Sequence, residues 1–152
     1  MNSREFNPHV TVATVVSQQN QFLIVEEQIN GETRFNQPAG HLEANESLIA
    51  AAKRETLEET GWEVDITGFL GVCIFKASNG VTYVRNTFCA TPIHKREPFT
   101  LDTGIIAAHW MTLNEIQQKQ EMLRSPMIIE SIENYLKGNI FPATLVTYLS
   151  AV

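Results

Sequence analysis

The stretch from Gly40 to Trp62, GHLEANESLIAAAKRETLEETGW, constrains this chain more than any other part of it. It reads as a helix from about Glu46 to Thr60. Asn45 offers a side-chain acceptor at the N-cap, Glu46 suits the positive first turn, and Gly61 suits a left-handed stop. With Leu48 as reference and about 100° per residue, Ala51, Ala52 and Thr56 fall within about 80° of one direction. These small residues form the stripe expected to face a sheet. Glu55 and Glu59 lie within about 20° of the same direction, and Glu58 near its edge. Carboxylates therefore project where burial is expected.

A solvated acidic face should lie opposite the apolar stripe, and this one overlaps it. At about 5.5 Å and an effective dielectric of about 20, one such pair costs about 3 kcal/mol. A divalent cation resolves the conflict, and magnesium suits hard oxygen ligands completed by water and phosphate.

The flanking sequence supplies strands and hairpins. His9–Val16 and Gln21–Glu27 read as strands joined at Gln18-Gln19-Asn20, with another turn at Asn30-Gly31 and a short extended piece at Arg34–Gln37 before Pro38. Val64–Ala77 and Val81–Thr91 are long strands meeting at Asn79-Gly80. Pro92–Asp102 reads as a loop and Ile105–Met111 as a strand. A short helix is expected at Leu113–Gln120 after Thr112. A last helix should open with Ser125 as N-cap and Pro126 in its first turn, and end at Gly138. The mixture predicts an α/β fold with helices covering a mixed sheet.

At 152 residues the chain, 1–152, is expected to be one domain. Its 11 basic and 17 acidic residues give a net charge of −6, which disfavours a non-specific grip on nucleic acid; a bridging cation still permits phosphate binding. The polar start, Met1–Pro8, lacks the apolar core of a secretory leader, and no apolar run is long enough for a membrane span. Cys73 and Cys89 stand apart without metal-site spacing, as reduced thiols in a cytoplasmic protein would.

These residues resemble the Nudix box, G-x5-E-x7-R-E-U-x-E-E-x-G-U, where U is aliphatic. Gly40, Glu46, Arg54, Glu55, Glu58, Glu59 and Gly61 fill its invariant positions, while Thr56 and Trp62 depart at packing positions. HVTVATVV, FLIVEEQINGE, FNQPAGHLEANES and LRSPMIIESIENYL extend the likeness toward the NudJ-type bacterial phosphatases. The resemblance implies a Nudix-type α/β/α sandwich with a mixed central sheet. It implies a magnesium-dependent hydrolase, with manganese as a substitute, acting on nucleoside tri- and diphosphates and thiamin-precursor pyrophosphates with release of phosphate. The alternatives are a house-cleaning pyrophosphohydrolase for oxidised nucleotides or ADP-ribose, and a non-catalytic nucleotide sensor. The expected partner is a small nucleotide or pyrophosphate, and the expected state a monomer or weak homodimer.

By the same resemblance Glu55, Glu58, Glu59 and the Gly40 carbonyl bind metal, with Glu55 and Glu58 in catalysis. Arg54 orients a carboxylate, Glu46 starts the helix, and Gly61 ends it. Many family members carry a further acid about six residues before the late tryptophan. Here that position, before Trp110, is Gly104, leaving Asp102 as the nearest substitute or a simple turn residue. Arg85 has the planar fork to reach a terminal phosphate, or to pair with a surface acid. Phe35 and Phe75 are candidates for stacking on a substrate ring, or for the core.

Overall fold

Two hairpins with two-residue loops set the register of the first strands. In the computed structural model, which describes residues 6–150, β1 (His9–Gln18) joins β2 (Gln21–Ile29) through Gln19 and Asn20 at φ 50° and 62°. β2 joins β3 (Glu32–Asn36) through Asn30 and Gly31 at φ 51° and 82°. Positive φ at both central residues matches the twist of the paired strands. Of the polar stretch Met1–Pro8, residues 1–5 lie outside the described range.

A three-residue strand follows that the sequence did not announce, β4 (Ala39–His41), paired with β1 through Val12 and Gly40. After α1 (Leu48–Thr60) come the long arms β5 (Trp62–Lys76) and β6 (Thr82–Lys95). Their loop is longer than Asn-Gly alone implies: Ala77 N–H donates to the Val81 carbonyl at 2.9 Å, which leaves Ser78, Asn79 and Gly80 at the tip. The loop expected from Pro92 is still strand, because Pro92, His94 and Lys95 pair with Val64, Glu63 and Trp62.

β7 (Ile105–Met111) adds beside β2, and β6 runs parallel to β1, so the seven strands form one mixed sheet. Helix α2 (Leu113–Gln118) opens with a capping box between Thr112 and Glu115. Helix α3 (Met127–Leu136) starts after Pro126 without the side-chain cap expected from Ser125.

Alternation on the strands sorts the core into two layers. Val12 and Phe88 pack under Ala51 and Ala52 of α1, and Val16, Leu23, Val64 and Ala90 continue that layer. Val15, Phe22, Ile24 and Cys89 pack on the other face against Ile116, Ile128 and Ile132 of α2 and α3. The result is a helix–sheet–helix sandwich. Thr56 is fully buried in it, its hydroxyl satisfied by the Ala52 carbonyl at 2.7 Å. Trp62 meets Trp110 edge to face with ring centres 5.7 Å apart.

Candidate active site

Ser47, not Asn45, caps α1: its hydroxyl accepts the Ala50 N–H at 3.0 Å. Asn45 takes the left-handed turn before it, at φ 65°. Glu46 consequently lies outside the first helical turn. Its carboxylate accepts the Glu43 N–H at 2.8 Å and two hydrogen bonds from Arg54, at 3.0 and 2.7 Å. At the far end Gly61, at φ 75°, stops the helix and returns its N–H to the Leu57 carbonyl.

Between these ends the carboxylates form a gradient of burial. Glu59 is 8% exposed, the Glu55 side chain 12% and the Glu58 side chain 38%. Arg54 is the cation among them. It reaches Glu55 at 2.7 Å and Glu58 at 3.0 Å, grips Glu46 with its fork, and donates to the His41 carbonyl. Those anions hold its guanidinium charged well beyond the ordinary range.

Gly40 is where β4 and α1 touch. A Cβ there would overlap the Glu55 carboxylate at 2.1–2.3 Å, so only glycine allows this approach. The preceding Ala39 N–H donates to Glu59 at 3.0 Å. Burial pushes the Glu59 carboxyl up to about 9 against that hydrogen bond, with Glu27, Glu55 and Asp102 adding repulsion. Glu55 is also raised, by burial first and, less strongly, by Glu58 and Asp102, although Arg54 opposes this. Asp102 is exposed and tied to the helix by its own N–H, which donates to the Glu58 carbonyl at 3.0 Å. Glu55 thus crowds Gly40 and Glu59 the adjoining Ala39 N–H, with Asp102 in electrostatic reach of both. Among the described residues, however, no three His, Cys, Asp or Glu side chains already converge as a metal cluster.

Arg85 is buried, which removes the surface pair as its role. Its Nη2 donates to Gln37 Oε1 at 2.8 Å; burial lowers its ionisation to about 10, with Arg124 adding repulsion and Cys73 and Glu59 opposing it. Phe35 is corrected from substrate stacking to core: it is 6% exposed, packs in the α2–α3 layer and lies beneath Lys119 at 4.9 Å. Phe75 instead lines a cleft beside Gly40, together with His41, Tyr83 and Arg85.

Residues 6–130 match the family model of the NUDIX domain. Phosphatase NudJ of Escherichia coli K12 is 40% identical over 148 residues, covering 93% of this chain and 92% of the relative. The chain is a Nudix hydrolase. A Nudix hydrolase structure from Nitrosomonas europaea, 41% identical, superposes with a TM-score of 0.91 over 94% of this chain and 98% of that one. The MutT protein of Methanosarcina mazei, 21% identical, shares the fold with a TM-score of 0.69 over 90% and 99% of the two chains.

Two residues of this Nudix hydrolase that the sequence did not single out pair with the residues around its site. Glu27, 5% exposed, pairs with Arg124 at 2.7 Å and is one of the charges that raise Glu59. Gln37 bridges Arg85 to Ser131 of α3, its Nε2 donating at 2.7 Å. No local pattern marks either, because each acts through a partner far along the chain. Among the described residues no helix is long and apolar enough to cross a membrane.

Proposed function

We propose that this hydrolase is a magnesium-dependent phosphatase of nucleoside tri- and diphosphates that releases inorganic phosphate, with manganese as a substitute ion. The name of its 40% identical relative, a phosphatase, supports that product, and the resemblance to the same branch extends the range to thiamin-precursor pyrophosphates. The observation that carries the reading is the pair of buried carboxylates at β4, Glu55 packed against Gly40 and Glu59 held by the Ala39 N–H. Both charged forms are disfavoured by burial, that of Glu59 also by Glu27 and Glu55 and that of Glu55 also by Glu58, and a cation would relieve both.

The donor set fits magnesium in kind, since every candidate offers oxygen. Glu55, Glu58, Glu59, the Gly40 carbonyl and Asp102 would hold the ion. Arg54 would then keep Glu46 while yielding Glu55 and Glu58. When bound, magnesium would neutralise phosphate charge and acidify a water. Glu55 and Glu58 are the proposed catalytic carboxylates, one of which accepts the proton of the attacking water. Ala39 N–H holds Glu59 in place, and Arg85 takes the terminal phosphate. We further propose one domain over 1–152, a monomer or weak homodimer, and a cytoplasmic setting suited to the free thiols of Cys73 and Cys89.

The test is incubation with magnesium and a panel of nucleoside tri- and diphosphates, with phosphate and pyrophosphate measured separately. Phosphate as the main product is expected. Mainly pyrophosphate would turn the reading to a pyrophosphohydrolase, and no turnover at any magnesium or manganese concentration would overturn it.

A further inference from the structure

Beside Gly40, toward the start of α3, lies a cavity of about 310 Å³. Asn36, Arg85 and Ser125 line it, and each leaves one buried polar atom without a hydrogen-bond partner: Oδ1, Nε and Oγ. Among the described residues these are the only buried side-chain nitrogen or oxygen atoms so left. Folded proteins pair nearly all such atoms, so three orphans around one cavity mark a place where something else completes the pairing.

The charge decides what that is. Arg85 is 7% exposed; its hydrogen bond goes to the neutral Gln37 amide, no carboxylate among the described residues forms an ion pair with it, and Glu59 attracts it only from beyond that range. A buried cation with no ion-pair partner is the costliest of the three groups to leave unpaired. Arg124, paired with Glu27 at 2.7 Å, lines the same cavity, while none of the lining residues is acidic. Ser125 sits where a cap for α3 is expected, yet its buried hydroxyl makes no capping bond and no other hydrogen bond, and the residue lines the cavity. The positive end of the α3 dipole lies at the same point.

We propose that this cavity is an oxyanion subsite that takes the terminal phosphoryl group of the substrate through Arg85, Ser125 and Asn36, with Arg124 beside them. The proposal rests on the phosphatase reading and deepens it. With its end held here, next to Gly40, a di- or triphosphate presents its outermost anhydride to the carboxylates on the other side of that glycine. Release of phosphate instead of pyrophosphate then follows from where the chain of phosphates is gripped. Gln37 is a positioning residue, fixing the guanidinium against α3.

The test is calorimetric titration of the metal-free protein with inorganic phosphate, and separately with uridine, for wild type, Ser125→Ala and Arg85→Lys. Wild type should bind one phosphate, and each variant should bind it at least about tenfold more weakly, as expected for losing a hydrogen bond to a charged group. Ser125→Ala removes one oxygen from a folded protein, so it remains informative if Arg85→Lys misfolds. Absence of saturable phosphate binding, or equal affinities in wild type and Ser125→Ala, overturns the subsite. So does uridine binding that depends on Ser125 while phosphate is indifferent to it. Turnover separates the two readings. Ser125-dependent phosphate binding without nucleotide hydrolysis would remove the phosphatase and leave the subsite. Hydrolysis with an unchanged KM in Ser125→Ala, and no phosphate binding, would do the reverse.

Discussion

The two sides of Gly40 handle charge in opposite ways. Toward α1, several carboxylates share one internal cation: Arg54 touches Glu46, Glu55 and Glu58 within 3.0 Å. Toward α3, Arg85 stays buried with a neutral amide for a partner. The acidic side is held by ion pairs that a metal could exchange, and the basic side by the Gln37 amide, which ties Arg85 to Ser131. Negative polyphosphate and a positive ion together would satisfy both sides, which neither could do alone.

The largest effect expected on the acidic side is from Glu59→Gln. It keeps the shape and the hydrogen bond from Ala39 but removes the carboxylate most crowded by its neighbours. Turnover should fall about 10²-fold or more, the scale of losing one electrostatic stabiliser. Unfolding in urea without divalent ions should show equal or greater stability. Near-normal turnover at saturating magnesium would break the contrast between the two sides. Next comes Arg54→Gln, which leaves Glu46 and Glu55 unpaired with side chains only 15% and 12% exposed. A loss of about 2–3 kcal/mol is expected from denaturant unfolding, because the orphaned charges cost more than the missing bonds. Magnesium should restore more stability to this variant than to wild type; an equal gain would mean that the ion does not meet these carboxylates.

Gly40→Ala probes the seam itself. The new methyl meets the end of a flexible side chain and not backbone, so Glu55 can swing aside and the fold survives. Turnover should drop about tenfold or more through the displaced carboxylate, with a melting temperature near that of wild type. Large destabilisation with activity intact would show that the close approach serves packing alone.

The contrast was unevenly legible in the sequence. The acidic side is local: one helix carries Arg54, Glu55, Glu58 and Glu59, and its period alone turns Glu55 and Glu59 toward the sheet with Glu58 at the edge. The hairpins at Gln19-Asn20 and Asn30-Gly31 are local too. The basic side is assembled from Asn36, Arg85 and Ser125, which sit on β3, β6 and the turn into α3, and no spacing rule connects them. Phe35 and Phe75 looked equivalent because strand alternation gives the face only when register is unbroken. β5 carries bulges between Glu63 and Val64, Ile66 and Gly68, and Phe69 and Gly71, so the face reached by Phe75 could not be counted along the chain. β4 escaped notice because three residues hold no pattern, and its pairing with β1 is non-local.

The pH dependence sharpens the acidic side further. Glu59 titrates near 9 in the fold and at an ordinary carboxylate value when unfolded, so the folded state holds the extra proton between those limits. Stability without divalent ions should therefore be greatest at mildly acidic pH and fall as pH rises toward 9, by at most about 1.4 kcal/mol per unit for this one group. The raised Glu55 acts in the same direction. Glu59→Gln should flatten the slope, and magnesium should stabilise more at pH 8 than at pH 5 because its ligands must be ionised. A slope unchanged in the variant would assign the proton elsewhere.

The smallest effect separates the helix from its cargo. Ser47 and Asn45 are equally good caps by residue type, and the backbone chooses between them: Ser47 is extended, at φ −78° and ψ 160°, whereas Asn45 is left-handed. Ser47→Ala should cost about 1 kcal/mol in thermal or urea unfolding. Asn45→Gly should cost less, since glycine accepts the left-handed turn freely. Among the described residues neither side chain hydrogen-bonds Arg54 or a carboxylate, so kcat at saturating magnesium should stay within about twofold of wild type while stability moves by a typical capping increment. A large fall in kcat for Ser47→Ala would mean that the entry to α1 sets the carboxylate geometry, and the acidic side would then depend on its frame as strictly as the basic side does.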